Sequence, residues 1–581
     1  MRRCKIHLWA LLLSASISFA SKPTNVVLIM TDDQGYGDFG FTGNQQIKTP
    51  TFDRLAAESV RFTRFYVSPV CAPTRASLLT GRYHLRTGTW GVAKGRDALH
   101  TDEVTIAEAL QHAGYRTGMF GKWHNGEHYP SVPHGQGFDE FVGFRGGHIN
   151  RYFDTPLERN GRPINGTGYI SDYLTNEAIR FVQENRGRPF FLYLAYNAPH
   201  TPLFLPDRYL QMYKALGLDD YTAAIYGMIS NLDDNVARLL AALEQLRLAE
   251  NTIVVFLSDN GPNGQRYNAG LRGGKTTVYE GGCRVPLLLR WPGHFPAGTI
   301  IDTIAGHIDI LPTLLDVCQV SMPATRPLDG RSLLPLIQGP RTNWPDRALF
   351  THAESPSTLR ADPFPGTIRT QYYNLVNCAE LYDIRADPGE RQNLAAQHPK
   401  KVDELRSAYE NWFRDVSTDR AFLPKSIPVG FAAEPRVVLS APHARLNGNL
   451  RFFDMGWPYD WVTNWRSEED EVSWGLEIVH QGWYSLELYY RCSAVDLGAE
   501  IAVQVDGTTL YGTVNTSSSP TPPKSSQREL GGTNVPLVEW EKMRLGKLQL
   551  SPGRKEISVR ALKIPGSTVM DLESIAITRL D

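Results

Sequence analysis

Four short apolar runs, Asn25–Met30, Tyr115–Phe120, Pro189–Ala195 and Thr252–Leu257, most constrain what this chain can fold into. Each has the length of a strand buried on both faces, and the stretches between them carry helical periodicity. The clearest helix runs from about Tyr221 to Leu246, with Ile225, Met228, Ile229, Leu232, Val236, Leu239, Leu240 and Leu243 on one stripe. It lies between the third and fourth runs, where a crossover between parallel strands calls for a helix. From Asn25 to about Trp291 the expected architecture is therefore α/β, a mainly parallel or mixed sheet flanked by helices. These stripes are core and carry no chemistry of their own.

At 581 residues the chain exceeds one ordinary core, so further domains are expected. From about Arg341 to Val416 the periodicity is weaker and ends in a helix over Pro399–Val416, which suggests a small α+β subdomain. Pro and Gly then dominate to Pro435, the composition of a linker. Beyond Arg436, alternating runs such as Trp483–Tyr490, Glu500–Val505, Lys547–Leu550 and Glu556–Ala561 read as an all-β sandwich. The stretch Thr516–Ser526 reads as an exposed loop. The expected division is a leader over 1–20, a main unit over 21–420 with its α/β core ending near 340 and its subdomain over 341–420, a linker over 421–435, and a sandwich over 436–581. Trp457, Trp461, Trp465, Trp474 and Trp483 are candidate sugar-stacking platforms, although aromatic residues in a sandwich are more often core.

The basic start Met1-Arg2-Arg3-Cys4-Lys5, the apolar stretch Leu8–Ile17 and the small residues near Ala20 predict a secretory signal peptide. It is too short for a membrane span, and no later stretch is long and apolar enough to be one. The expectation is an exported protein, periplasmic or extracellular. Cys283, Cys318, Cys378 and Cys492 show neither CxxC spacing nor a dense disulfide framework, leaving bridges and free thiols both open. A net charge of −1 argues against nucleic-acid binding through a general basic field. An anionic substrate would have to meet a local cluster of cations.

Sites in open α/β sheets form beyond the carboxyl ends of the strands, and each of the four runs ends in polar residues. The first leads into Asp32-Asp33 and the fourth into Ser258-Asp259-Asn260-Gly261. Three carboxylates and an amide there would make an all-oxygen site for a hard divalent cation, and without one would repel each other. The second run leads into Gly121-Lys122-Trp123-His124, and the third into Asn197-Ala198-Pro199-His200. Gly273-Gly274-Lys275-Thr276 places Lys275 in a glycine-rich loop that lacks phosphate-loop spacing. His148, in Arg145–Tyr152, belongs either to a substrate-facing insertion or to a plain surface loop. Finally, Cys71-Ala72-Pro73-Thr74-Arg75 opens a short helix ending at Gly81. Cys71 stands at that helix start, where thiolates and anions are favoured, unless it is a buried structural cysteine.

Cys71-Ala72-Pro73-Thr74-Arg75, with Ser77–Arg82 after it, resembles the signature of type I, formylglycine-dependent sulfatases. These are arylsulfatase A-like members of the alkaline phosphatase superfamily. The Gly121–His124 segment, the Lys275 loop and Glu380–Glu390 with Gln392-Asn393-Leu394 resemble further hallmarks of the family, in the family's order. The resemblance implies the alkaline phosphatase-like sulfatase fold and a Cys71 oxidised to formylglycine (3-oxoalanine) by a maturation enzyme. It implies one Ca²⁺ per subunit, with Mg²⁺ less favoured, held by Asp32, Asp33, Asp259, Asn260 and the modified Cys71. In the implied mechanism the hydrate of residue 71 attacks the sulfur of a sulfate ester, with Arg75 holding the nucleophile. Lys122 and Lys275 stabilise the sulfuryl oxygens, His200 protonates the leaving alcohol, and His124 removes the second hydroxyl proton to release inorganic sulfate. His148 would touch the sulfate or the leaving group. The substrate is a sulfated small molecule or glycan; the sandwich resembles jelly-roll modules of carbohydrate-active enzymes in style. Rival readings are a phosphate or phosphonate ester hydrolase of the same superfamily, and a non-catalytic carbohydrate-binding protein.

Overall fold

The computed structural model of the protein describes residues 23–339, 344–353, 360–423, 425–518 and 538–581. The expected signal peptide over 1–20 and the 519–526 part of the expected Thr516–Ser526 loop lie outside the described residues.

A large mixed sheet organises the first half of the chain. Its strands are β1 (Asn25–Thr31), β2 (Val60–Tyr66), β3 (Arg116–Lys122), β4 (Glu140–Phe144), β5 (Pro156–Arg159), β6 (Arg162–Asn165), β7 (Phe190–Ala195), β8 (Thr252–Ser258) and β9 (Arg284–Arg290). They lie in the order β2-β9-β8-β1-β7-β3-β4-β5-β6, with the short strands Ile300–Ile301 and Ala305–Gly306 beside β2. The central ladder β8-β1-β7-β3-β4 is parallel. The pairs β8·β9 and β2·β9 are antiparallel. β1 is buried along its whole length, and its two-residue period divides the core. Val27 and Ile29 pack on the side of helices Ile170–Asn185, Asp207–Lys214 and Asp220–Gln245; Val26, Leu28 and Met30 pack on the side of Cys71–Thr80, Ile106–His112 and Ile310–Cys318. The long helix starts at Asp220, where the Asp219 side chain accepts from Thr222 N at 2.9 Å.

Beside the four expected runs the sheet contains β2, β4, β5, β6 and β9, and two of these, β2 and β9, affect the site. β2 and β9 place Cys71 at the same sheet edge as the other strand ends, because β2 runs in the direction of β8 and leads into the helix Cys71–Thr80.

A four-stranded antiparallel sheet, Leu349–His352, Gly366–Arg369, Tyr373–Val376 and Glu380–Asp383, packs with helix Pro399–Val416 as the expected α+β unit. Its buried Arg369 donates to Glu280 Oε1 at 2.9 Å and to Val278 O at 2.6 Å, tying this sheet to the segment that follows Lys275. The C-terminal region forms two facing sheets around one core. Residues Ile427–Val429, inside the expected linker, are a strand of one of these sheets, paired in parallel with Glu471–Ile478. Val429 is fully buried, so this stretch is held by tertiary packing that a three-residue run cannot announce in sequence. Trp461, Trp465 and Trp474 are core, whereas Trp483 is half exposed. Cys283, Cys318, Cys378 and Cys492 are free thiols. Among the described residues, no helix is long and apolar enough to cross a membrane.

Three buried histidines sit where the small sheet meets the core. Burial holds His84 at about 3, with His352 adding repulsion, and holds His307 at about 3 and His352 at about 4. The unfolded chain titrates these groups near 6.5. Below that pH it binds protons that the folded state refuses, so stability is fully present above about pH 6.5 and falls as pH drops towards 4. Each group contributes up to about 1.4 kcal/mol per pH unit within that window. Urea unfolding at pH 7 and pH 5 should show a smaller loss for the His84→Gln/His352→Gln protein than for wild type; equal losses would contradict this assignment.

Candidate active site

All of the strand-end residues singled out above, together with Cys71, lie at one edge of the sheet. Asp32 and Asp33 follow β1, and Asp259 and Asn260 follow β8; all four are buried. Asp33 adopts a left-handed backbone (φ 65°), and its N–H donates to Asp259 Oδ1 at 3.2 Å. An aspartate tolerates that conformation better than most residues. Lys122 closes β3 behind Gly121, whose φ is 122°. A Cβ at residue 121 would stand 1.8 Å from Ala195 O on β7, so only glycine fits there. Gly261 likewise lets the chain after β8 approach residue 281 of the Lys275 loop, where a Cβ would meet Gly281 O at 1.9 Å.

The three carboxylates are not left to repel one another, contrary to the expectation from sequence. Lys122 Nζ lies 2.5 Å from Asp32 Oδ2, and Arg75 Nη2 lies 2.8 Å from Asp259 Oδ2 and 3.5 Å from Asp32 Oδ2. Lys275 Nζ lies 2.7 Å from Asp33 Oδ1, and Asn260 Nδ2 donates to the same oxygen at 2.8 Å. Three negative charges thus face three positive ones in a water-poor pocket. Burial alone would raise Asp33, but Lys275 and His200 hold it well below the ordinary carboxylate range. Asp259 goes the other way: burial and neighbouring Asp32 outweigh Arg75 and Lys122 and push it up to about 6.

Cys71 is buried at the first turn of its helix, with Arg75 one turn on. The expectation that this position favours a thiolate is corrected: burial raises the thiol, outweighing Lys122 and Lys275. As a thiol, residue 71 is a poor nucleophile. Cys71, Asp32 and His200 each offer an atom within 4.8 Å of the others, as do Asp32, Asp33 and Asp259. Asp32 Oδ1 and Asn260 Oδ1 are buried with no hydrogen-bond partner among the described residues. An oxygen-rich set with unsatisfied lone pairs fits a hard divalent cation.

The histidines are all held neutral, chiefly by burial. His200, further disfavoured by Lys275, falls to about 3 and bonds Thr201 O through Nδ1 at 2.6 Å, which leaves Nε2 3.9 Å from Asp33. His124, with Lys122 adding repulsion, is well below its usual value; its Nε2 bonds Val92 O at 2.8 Å and its Nδ1 is buried without a partner among the described residues. His148 is buried with its ring 5.6 Å from that of His200, and is therefore part of the cluster and not of a plain surface loop. Two residues that the sequence did not single out support the site. Asn125 Nδ2 donates to Ala72 O at 3.1 Å, and Tyr152 Oη donates to His200 O at 2.6 Å. Their nearness to His124 and His148 in sequence was the only available signal.

A family model described as sulfatase matches residues 24–320, and one described as N-sulphoglucosamine sulphohydrolase, C-terminal, matches 273–416. N-acetylgalactosamine-6-sulfatase of Mus musculus is 34% identical over 422 residues, covering 66% of this chain and 78% of the relative. Arylsulfatase A of Homo sapiens is 34% identical over 445 residues, covering 66% and 85%. Among solved structures, that of Ps i-CgsB in complex with k-i-k-neocarrahexaose is similar with a TM-score of 0.63 at 30% identity, covering 69% of this chain and all of that one.

If the oxygen cluster takes a divalent cation, saturating cation stabilises the fold by about 2.7 kcal/mol when it exceeds its dissociation constant a hundredfold. Thermal melts of chelator-stripped protein should shift upward on adding Ca²⁺, and the Asn260→Ala protein should shift less. Identical melts with and without cation would refute the cation site.

Proposed function

Because the chain belongs to the sulfatase family and is a sulfuric ester hydrolase, we propose that Cys71 is the precursor of its nucleophile, formylglycine, and that Ca²⁺ is its metal. Supporting this reading above all is the position of Cys71, a raised and unreactive thiol packed among Asp32, His200, Lys122 and Lys275. As formylglycine hydrate, residue 71 would supply an oxygen nucleophile and a second hydroxyl through which sulfate can be released, which neither thiol nor serine offers. Asp32, Asp33, Asp259 and Asn260 would hold the cation, which supplies charge withdrawal from the nucleophile and from a sulfuryl oxygen.

The remaining work falls to this chain's side chains. Arg75 bridges Asp259 and Asp32 and keeps both carboxylates turned to the centre. Lys122 and Lys275, already oriented by Asp32 and Asp33, receive the sulfuryl oxygens and hold their charge in the transition state. Burial, and after it the repulsion from Lys275 and Lys122, keeps His200 neutral; an anionic ester bound beside the lysines removes that repulsion and adds an attraction, so Nε2 can carry a proton to the leaving alcohol oxygen. His124, with Nε2–H given to Val92 O, keeps the Nδ1 lone pair as a base for the step that frees sulfate. His148 lines the leaving-group side.

The substrate we propose is a sulfated carbohydrate, in line with relatives named for N-acetylgalactosamine-6-sulfate and with a neighbour bound to neocarrahexaose. The basic-apolar-small start supports export to the periplasm or outside the cell, after a formylglycine-generating enzyme has acted on Cys71.

Matured protein should release sulfate from 4-nitrophenyl sulfate far faster than phosphate from 4-nitrophenyl phosphate. Cys71→Ala should abolish turnover, and Lys275→Ala should lower kcat/KM by about 10²–10³. Preference for the phosphate, or near-normal turnover by Cys71→Ala, would overturn the proposal.

A further inference from the structure

The C-terminal sandwich packs against the α/β unit close to His124. Its loop 453–460 lies against both segments that hold His124. One is the segment carrying Val92, which accepts from His124 Nε2; here Lys94 Nζ stands 5.0 Å from the Phe452 ring centre, and a Cβ at Gly456 would meet Lys94 Cε at 2.6 Å. The other begins at Arg145, whose carbonyl accepts from His124 N at 2.9 Å; a Cβ at Gly146 would lie 3.4 Å from Pro458. Two residues further on is His148, packed on His200. The docking is firm: Arg145 pairs with Glu434 at 2.6 Å, and His128 Nε2 bonds Val438 O at 2.9 Å.

The loop itself is stiff. The buried Asp460 carboxylate accepts from Gly456 N at 2.7 Å, Trp461 N at 2.8 Å and Asp454 N at 3.2 Å. Phe453 stacks on the buried Trp461 at 4.3 Å, and Tyr459 is held in the left-handed region at φ 71°, an uncommon conformation for a bulky residue. Yet Phe453 is 46%, Met455 67% and Tyr459 46% exposed. The Tyr459 hydroxyl points inward, where burial and the neighbouring Glu127 and Glu158 raise it, so that its ring lines a recess rather than an outer face. A rigid backbone that holds three large side chains open in this way beside the segments that carry His124 is a binding surface in character, and domain junctions are where such surfaces collect.

We propose that Phe453, Met455 and Tyr459 form a subsite for the sugar units that flank the sulfated one, making the sandwich a wall of the catalytic cleft. Sugar rings carry an apolar C–H face that packs on such side chains while their hydroxyls stay in water. The preferred substrate is then an oligosaccharide or polysaccharide chain rather than a lone monosaccharide. Of the five tryptophans expected as platforms, Trp461, Trp465 and Trp474 are core and present no face to a sugar, whereas Trp457, in this same loop, is part-buried and Trp483 is half exposed. This inference rests on the sulfatase reading above.

The test compares matured full-length protein on 4-nitrophenyl sulfate and on di- to hexasaccharides of chondroitin 6-sulfate and of κ-carrageenan. For wild type, kcat/KM on one of the two series should rise about tenfold from disaccharide to hexasaccharide. Phe453→Ala and Tyr459→Ala should each lower the hexasaccharide value, through KM, about three- to tenfold more than the aryl-ester value. Equal losses on both substrates would mark a structural role and overturn the subsite. So would a wild type that splits the aryl ester but gains nothing with chain length on either series. No sulfate release from any of these esters by matured wild type would instead count against the sulfatase reading itself.

Discussion

The buried balance of three carboxylates against three cations at the sheet edge is what the other features of the site depend on. Asp32, Asp33 and Asp259 are brought within a few ångströms of one another by two adjacent parallel strands, and Lys122, Lys275 and Arg75 meet them there. Removing one partner from a buried pair typically costs about 3–5 kcal/mol, because the remaining charge has no water to turn to. In the proposed reaction the same pairing would prepare the lysines: their ammonium groups are held in place by carboxylates before any ester arrives, so little reorganisation would be needed when sulfuryl oxygens come within reach.

Each flanking unit braces part of that cluster. The small antiparallel sheet reaches the segment after Lys275 through Arg369, Glu280 and Glu390, a second buried charge network in which Glu390 is pushed up to about 7 by burial and by Glu280. The sandwich braces the opposite side, where Arg145 and the loop carrying Val92 hold His124. The Lys275 loop and His124 are thus braced by different parts of the chain. That explains why a chain whose chemistry sits at one sheet edge carries so much further structure.

Much of this was legible in the chain. The four central strands show as uninterrupted apolar runs because both their faces are covered, and the polar residues that follow each run point to the edge where a site forms. β2 was hidden because Arg61, Thr63 and Arg64 interrupt it. Arg64 is nevertheless buried, donating to Asp302 O and Gln371 O at 2.6 Å each, and such partners cannot be foreseen from local pattern. The pairing of the carboxylates was hidden for the same reason: Lys122 and Asp32 are 90 residues apart, Arg75 and Asp259 are 184, and Lys275 and Asp33 are 242. Strand Ile427–Val429 is too short to show a period, and the aromatic loop 453–460 gains meaning only from what it touches.

Everything proposed about the reaction turns on the chemical state of residue 71. Trypsin releases it in the peptide Phe65–Arg75, whose mass distinguishes a thiol from an aldehyde or its hydrate. In fully active protein from a host able to mature it, this peptide should carry formylglycine, in proportion to the specific activity. Finding only the unmodified thiol in fully active enzyme would contradict it.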